Sequence, residues 1–201
     1  ADLTISMQLR NRPLSKQYRG KKIGNYTGRD TVFLKLYILY YSRSSTNRSE
    51  DLYIDRRTMK NSTIGILGAG AWGTAIAKVL AGKGLAVDLW CYEEEVAEDI
   101  HRNRRNDRYL LGVDLPSGIR PRTDLRETAS GKEYLLVTSP SLYTVDIIKQ
   151  ILTIEDIVEG NSLIGIMTKG FIATKKGPQL PLAALEEYLP GSYKGNVSFI
   201  T

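Results

Sequence analysis

The sequence predicts an α/β fold in which helices cover both faces of a doubly wound, mostly parallel sheet. Two observations support this prediction. From residue 63 onward, short apolar runs alternate with longer amphipathic stretches, as expected when parallel strands are joined by helices. One strand-to-helix junction, within residues 63–77, also carries the spacing Gly-x-Gly-x-x-Gly.

The glycine motif consists of Gly68, Gly70 and Gly73. Between a strand and a helix, the first glycine permits a tight turn and the second lets the backbone approach a pyrophosphate. The third lets the helix pack close to the strand. Free N–H groups at the start of the helix suit a phosphate. An acidic cluster at 93–95 follows at the expected distance, so we predict a Rossmann-type dinucleotide-binding unit.

The first elements follow this pattern. In chain order we predict a strand at 63–67, a helix at about 71–82, a strand at 86–90 and a helix at about 94–105. The second helix is expected because Val96 and Ile100 are four residues apart and would share one face. The arginines of residues 102–108 are interpreted as the solvated end of that helix, although they could also attract a cofactor phosphate.

The alternation continues to the end of the sequence. In chain order we predict a loop at 109–116, a short strand near Ile119, a short helix from Asp124, a strand at 134–138, a helix ending at Ile151, a strand at 162–167, a helix at about 181–188 and a strand at 196–200. Residues 134–137 are all apolar, as in a parallel strand covered on both faces. Ser141 is expected to cap the helix that ends at Ile151.

The basic charge of the chain is confined to its first part. The net charge is +6; residues 1–58 hold 12 Lys/Arg against 5 Asp/Glu, and residues 59–201 therefore hold 16 against 17. The second part is near neutral and gives no electrostatic signal for nucleic acid. The single cysteine, Cys91, excludes an internal disulfide and is interpreted as half-buried. No apolar run approaches the roughly 20 residues that span a bilayer.

We divide the chain into residues 1–58 and residues 59–201. The first part shows no clear period and is interpreted as a basic, non-native or disordered extension, with Met59 as the natural start of the domain. Proteolysis should then remove 1–58 and leave the rest folded. Two alternatives are a targeting peptide, which its acidic residues weaken, and a basic arm that binds RNA or DNA.

Lys169 is the residue that we expect to contact the substrate. It follows the strand at 162–167, and open α/β sheets bind ligands at the carboxyl ends of their strands. A cation there can hold a phosphate group or polarise a carbonyl group. Lys175 and Lys176 lack this placement and are expected at the surface, as is the single histidine, His101.

The glycine-loop stretch, residues 68–77, resembles the N-terminal signature of NAD(P)-dependent glycerol-3-phosphate dehydrogenases. The same family's order and spacing are found in residues 87–90, 106–116, 139–141 and 168–170. Trp72 in the glycine loop combined with Lys169-Gly170 downstream is the specific part of the resemblance. The resemblance covers residues 59–201, which by the family pattern form the first part of a longer enzyme.

The resemblance implies reversible reduction of dihydroxyacetone phosphate to sn-glycerol 3-phosphate by NADH or NADPH, in the cytoplasm and as a source of phospholipid precursors. It implies a homodimer when full length, with no nucleic acid partner, membrane span or metal. By position it assigns cofactor contacts to Gly68, Gly70, Ala71, Trp72 and Gly73 in the pyrophosphate loop, to Tyr92 near the adenosine ribose, to Tyr109 after the second helix, and to Lys169. The general acid–base lysine and a helical substrate domain are expected beyond Thr201, so these residues alone should bind cofactor weakly and catalyse nothing.

The choice between NAD and NADP depends on the end of the second strand. An acidic residue there favours NAD through the ribose 2′-hydroxyl, and an arginine favours NADP. The sequence has Cys91, Tyr92 and Glu93, with no arginine and a slightly late carboxylate. The prediction therefore leans to NAD, although Arg102 or Arg105 could reach a 2′-phosphate.

Two other functions fit parts of the sequence. One is another Rossmann dehydrogenase of the 6-phosphogluconate or ketopantoate reductase type, against which the pairing of Trp72 with Lys169 argues. The other is a non-enzymatic nucleotide-binding module whose basic arm at 1–58 binds nucleic acid. Salt-dependent binding to DNA or RNA would identify the second, because phosphate contacts weaken steeply with salt.

Overall fold

A computed structural model of the chain describes residues 7–9, 12–13, 63–193 and 197–200. The strands in these ranges are β1 (Met7–Leu9), β2 (Arg12–Pro13), β3 (Ile64–Leu67), β4 (Val87–Trp90), β5 (Ile119–Arg122), β6 (Tyr134–Val137), β7 (Leu163–Ile166), β8 (Ile172–Thr174), β9 (Gly177–Gln179) and β10 (Ser198–Ile200). The helices are α1 (Ala71–Ala81), α2 (Glu94–Asn103), α3 (Leu125–Ala129), α4 (Ser141–Ile151), α5 (Glu155–Val158) and α6 (Pro181–Glu186), followed by a 3-10 turn at Gly191–Tyr193.

Eight strands form one sheet in the order β2-β1-β10-β7-β6-β3-β4-β5. The strands from β10 to β5 are all parallel, whereas β1 and β2 extend one edge in antiparallel pairing. The chain begins this parallel sheet in the middle, at β3, and adds β4 and β5 on one side. It then returns to add β6, β7 and β10 on the other side. This reversal is the doubly wound order of Rossmann folds, and it confirms the predicted fold class.

A separate apolar core covers each face of the sheet. On one face, α1 and α2 pack on Ile64 and Ile66 of β3 and on Leu89 of β4. On the other face, α3, α4 and α6 pack on Leu135 of β6 and Ile164 of β7. Successive residues of a strand point to opposite faces, so a strand covered on both sides is mostly apolar. This is why β3, β6 and β7 have no charged side chain, whereas β4 has one buried charge, Asp88.

The predicted helices and strands of residues 63–193 are present, with ends that differ by at most two residues. The prediction for Ser141 is wrong: α4 begins at Ser141, Pro140 is its N-cap residue, and no side chain caps it. Cys91 is fully rather than half buried. The sequence analysis also missed α5 and the hairpin of β8 and β9, which are only three or four residues long per element.

The interpretation of residues 1–58 as an extension, the natural start at Met59 and the nucleic-acid arm fall almost entirely outside the described residues. Only β1 and β2 are defined there, so the division at residue 58 stays a prediction. In the part of the chain that the structure describes, no helix is long and apolar enough to cross a membrane.

Candidate functional site

The predicted site residues lie at the carboxyl edge of the sheet, where the strand order reverses. Leu67 of β3 is in register with Trp90 of β4 and with Val137 of β6, and Val137 is in register with Ile166 of β7. The segments that follow these strands therefore leave the sheet at one level. This brings the glycine turn, residues 68–73, next to the segments after β6 and β7, at the place where doubly wound sheets bind ligands.

The three motif glycines have different surroundings. Gly68 has a φ of +127°, a conformation that only glycine adopts readily. A Cβ at Gly73 would overlap the carbonyl oxygen of Gly68 and would lie 2.6 Å from Thr138 Oγ1. A Cβ at Gly70 would meet nothing within 4 Å. The backbone at Gly70 is therefore open to a ligand, while Gly73 is required for close packing of α1 on the turn.

Helix α1 begins directly after the open glycine. Gly70 is the N-cap residue, no side chain caps the helix, and its first turn contains no acidic residue. The N–H groups of a first helical turn have no partner inside the helix, and the helix dipole favours an anion there. The glycine turn and α1 therefore fit the pyrophosphate of a dinucleotide.

Thr138, the first residue after β6, fixes the glycine turn from the neighbouring strand. Its Oγ1 donates to the carbonyl oxygens of Leu67 and Gly68, at 3.2 and 2.9 Å. Asn106 fixes the turn from the other side, because its Nδ2 donates to the carbonyl oxygen of Ala69 at 2.8 Å. The sequence analysis assigned no role to either residue, since their partners are far away along the chain.

Lys169 and Trp72 are in contact at this carboxyl edge of the sheet. The Nζ atom of Lys169 lies 5.3 Å from the centre of the Trp72 ring, within the range of a cation–π interaction. Trp72 is half-buried in the first turn of α1 and packs on the core, whereas Lys169 is exposed after β7. The fold thus brings together the two residues that are specific to the family resemblance.

Tyr109 and Tyr92 lie beyond the end of β4. The Tyr109 hydroxyl donates to Glu93 Oε1 at 2.6 Å, and this bond to a carboxylate raises the pKa of Tyr109. The Arg108 guanidinium lies 5.5 Å from the Tyr109 ring centre and 3.6 Å from Glu93. Tyr92 is 81% exposed and contacts the edge of Trp90. Glu93, the predicted determinant of NAD binding, is therefore held by two neighbours.

The remaining candidates lie at the surface or are chemically inert. Three arginines of residues 102–108 pair with acidic side chains, in the pairs Arg102–Glu98, Arg105–Asp114 and Arg108–Glu93. These pairs agree with the interpretation of a solvated helix end. His101, Lys175 and Lys176 are exposed, as predicted. Burial raises the pKa of the Cys91 thiol to about 12, so the thiol stays protonated and is a poor nucleophile near neutral pH.

Residues 63–201 match a family model described as NAD-dependent glycerol-3-phosphate dehydrogenase N-terminus. A curated relative, glycerol-3-phosphate dehydrogenase (NAD(P)+) of Treponema denticola, is 33% identical over 146 residues, which are 70% of this chain and 41% of the relative. The chain therefore spans about two fifths of the length of this relative.

Solved structures give the same result. The crystal structure of glycerol-3-phosphate dehydrogenase from Coxiella burnetii matches with a TM-score of 0.52 and 34% identity, over 56% of this chain and 34% of that one. The glycerol-3-phosphate dehydrogenase of Saccharomyces cerevisiae matches with a TM-score of 0.56 and 28% identity, over 64% of this chain and 39% of that one. These matches support the resemblance drawn from the glycine loop over the other reductase types.

Proposed function

This chain belongs to the family of NAD-dependent glycerol-3-phosphate dehydrogenases, and we propose that it supplies the cofactor-binding part of an enzyme that reduces dihydroxyacetone phosphate to sn-glycerol 3-phosphate. The open glycine turn at the start of α1 carries this proposal. Gly70 leaves room for a ligand to approach the backbone, and the uncapped helix start provides N–H donors for its phosphates. NADH or NADPH supplies a hydride when bound there.

Lys169 is the residue through which this chain contacts the substrate in our proposal. It is exposed after β7, at the carboxyl edge of the sheet, and its ammonium group lies on the indole face of Trp72. A cation in this position can bind the phosphate of dihydroxyacetone phosphate. It can also stabilise the negative charge that develops on the ketone oxygen as the hydride arrives. Trp72 restricts where that cation rests.

We also propose that the full-length protein is a homodimer in the cytoplasm and that its product serves phospholipid synthesis. The relatives' printed activity and the near-neutral charge of residues 59–201 support a metabolic enzyme rather than a partner of nucleic acid. The position of Glu93 just after β4 supports the preference for NAD.

Titration of the chain with NADH and NADPH, followed by cofactor fluorescence, tests the proposed site. The decisive variant is Gly70→Asp. A side chain at Gly70 meets open space and the backbone there is extended, so the variant should fold. Its carboxylate would occupy the place of the pyrophosphate and repel it. The matched control is Gly191→Asp in the 3-10 turn, another glycine whose added Cβ meets nothing.

The original chain and Gly191→Asp should bind with the same Kd, and Gly70→Asp should lose at least tenfold in affinity, because a like charge opposes the ligand. Circular dichroism establishes that each protein is folded. A folded original chain that binds neither cofactor would overturn the proposal, as would unchanged binding by Gly70→Asp.

A further inference from the structure

Asn106 joins two parts of the site that are far apart in the sequence. We propose that it is a positioning residue for dinucleotide binding, whose carboxamide holds the turn that carries Tyr109 against the glycine loop. This inference rests on the proposed cofactor site, because it concerns the geometry of that site. Asn106 is 1% exposed, so its contacts are made within the protein.

The carboxamide nitrogen of Asn106 has two acceptors on the glycine-loop side. Nδ2 donates to the carbonyl oxygen of Ala69 and to Thr74 Oγ1, both at 2.8 Å. Thr74 Oγ1 itself donates to the same carbonyl at 3.1 Å. The three groups form a closed triangle of hydrogen bonds, in which both amide hydrogens are used. Ala69 lies between the glycines of the turn, so the triangle fixes the backbone that a pyrophosphate would approach.

The backbone of Asn106 shapes the second part of the site. Its carbonyl oxygen accepts from the N–H groups of Tyr109 at 3.2 Å and Leu110 at 2.7 Å. The turn closed by these bonds presents the Tyr109 ring, and the Tyr109 hydroxyl then reaches Glu93 beyond β4. One residue therefore connects the phosphate side of the site to the side where the nucleoside is expected.

The oxygen of the same carboxamide supports a specific role. Oδ1 of Asn106 is buried and has no hydrogen-bond partner among the described residues. A buried unpaired acceptor costs stability, and a valine or leucine in this place would avoid that cost. Only a side chain with donors can hold the Ala69 carbonyl and Thr74 together. Because Asn106 is present despite the cost of its unpaired Oδ1, we infer that its role is to position the turn.

The test compares Asn106→Ala with Asn103→Ala in NADH titrations carried out below the melting temperature of each protein. Asn103 is the matched control, an exposed asparagine whose Nδ2 donates to Asp99 at 2.9 Å. Asn106→Ala should raise the Kd for NADH about tenfold, through the loss of two buried hydrogen bonds. Asn103→Ala should leave it unchanged.

A second set of variants separates positioning from a general loss of stability. Tyr109→Phe should raise the Kd in the original chain but add little to Asn106→Ala, since the turn that carries Tyr109 is then no longer fixed to the glycine loop. Thr74→Val, which loses the hydroxyl, should raise the Kd for NADH. Thr74→Ser, which keeps the hydroxyl, should bind NADH like the original chain. These two Thr74 variants test the same hydrogen-bond triangle if Asn106→Ala does not fold.

Folded Asn106→Ala with an unchanged Kd would overturn this inference and leave the proposed function intact. So would fully additive effects of the Asn106 and Tyr109 substitutions. Absence of NADH binding by the original chain would instead overturn the proposed function, and this inference with it.

Discussion

Gly70 and Gly73 belong to one motif but differ in what their surroundings tolerate. A methyl group at Gly70 meets open space, whereas one at Gly73 overlaps the carbonyl oxygen of Gly68. Gly73→Ala should therefore lower the free energy of unfolding by about 2 kcal/mol, the usual cost of a forced backbone shift. Gly70→Ala should change it by less than about 0.5 kcal/mol. Urea unfolding measures both, and equal losses would contradict the steric argument.

Glu93 is predicted to disfavour NADPH. Its carboxylate, held by the Tyr109 hydroxyl and near Arg108, would repel a 2′-phosphate. Glu93→Gln keeps an oxygen for the Tyr109 hydroxyl but removes the charge. The ratio of the NADPH Kd to the NADH Kd should fall about fivefold, the effect of one partly exposed charge interaction. Glu95→Gln is the control, because that carboxylate also lies near Arg108 but is 86% exposed.

An unchanged ratio in Glu93→Gln would show that Glu93 does not select the cofactor, and an equal fall in Glu95→Gln would show that only net charge matters. Both titrations are run at the same salt concentration, since salt screens exposed charges.

The roles of individual residues were predictable where they depend on local sequence. The glycines and Lys169 could be located because a strand precedes each of them and the spacing is regular. Asn106 could not be found in this way, since it bonds to residues 32 and 37 positions earlier. The contact between Lys169 and Trp72 likewise depends on the pairing of β3, β6 and β7. Sequence spacing alone does not give that geometry.

At the scale of elements, an ion cluster joins β4 to its neighbours on one face of the sheet. Asp88 of β4 is buried. Its Oδ2 lies 2.6 Å from Nζ of Lys132, before β6, and its Oδ1 lies 2.7 Å from Nε of Arg120 in β5. Burial opposes ionisation of Asp88, but hydrogen bonds and ion pairs with Lys132 and Arg120 outweigh it and hold its pKa below the ordinary 3.8. The folded state therefore favours the carboxylate.

Asp88→Asn should lower the free energy of unfolding by about 3 kcal/mol at pH 7, because it leaves the largely buried Lys132 without a counter-charge. A pKa lowered by folding stabilises the protein above pH 3.8, and this contribution is lost as the pH falls through the folded-state value. The free energies of unfolding of the original chain and the variant, measured with urea at progressively lower pH, should therefore converge. A constant difference at all pH values would contradict the assignment.

Glu187→Gln is the control for this prediction. Its pKa is also lowered by a hydrogen bond from a lysine, Lys176, but the pair is at the surface. Water screens such a pair, so the substitution should leave the urea unfolding curve unchanged at pH 7 and at each lower pH.

The elements that the sequence predicted are those whose apolar pattern reflects burial. β3, β4 and β6 are buried on both faces, and α1 and α2 show one apolar face each. The elements that it missed, α5 and the hairpin of β8 and β9, are too short to show a period. The predicted cap residue of α4 was wrong for a different reason. Pro140 occupies the N-cap position because its backbone is not helical there, and the following Ser141 is already helical.

At the scale of the whole molecule, the sheet order determines the site. β3 and β6 are neighbours in the sheet although α1, β4, α2, β5 and α3 lie between them in the chain. The glycine turn and Thr138 are therefore in contact where the connections diverge to opposite faces, which is the place where doubly wound sheets bind ligands. Any variant that keeps this strand order should keep that arrangement, so loss of ligand binding in a folded variant reports on a local change at this edge of the sheet.

The division at residue 58 leads to the last prediction. Residues 1–58 contain 12 of the 28 Lys/Arg, so trypsin has many sites there. Where the structure describes this part, its pairing with β10 involves only Met7 with Ile200 and Gln8 with Phe199. Two residue pairs at a sheet edge contribute little stability compared with the two apolar cores of residues 63–193. Brief digestion should therefore leave a core that begins near Met59, identified by mass spectrometry.

The core should retain the circular dichroism of the original chain and its Kd for NADH, because the glycine turn, Asn106 and Lys169 all lie within it. Heat-unfolded chain is the control and should be cut throughout, since 16 further Lys/Arg lie in residues 59–201. Protection of residues 1–58, or loss of the fold when they are removed, would show that they belong to the domain. The strand pairing at β10 would then be part of what holds the last parallel strand in the sheet.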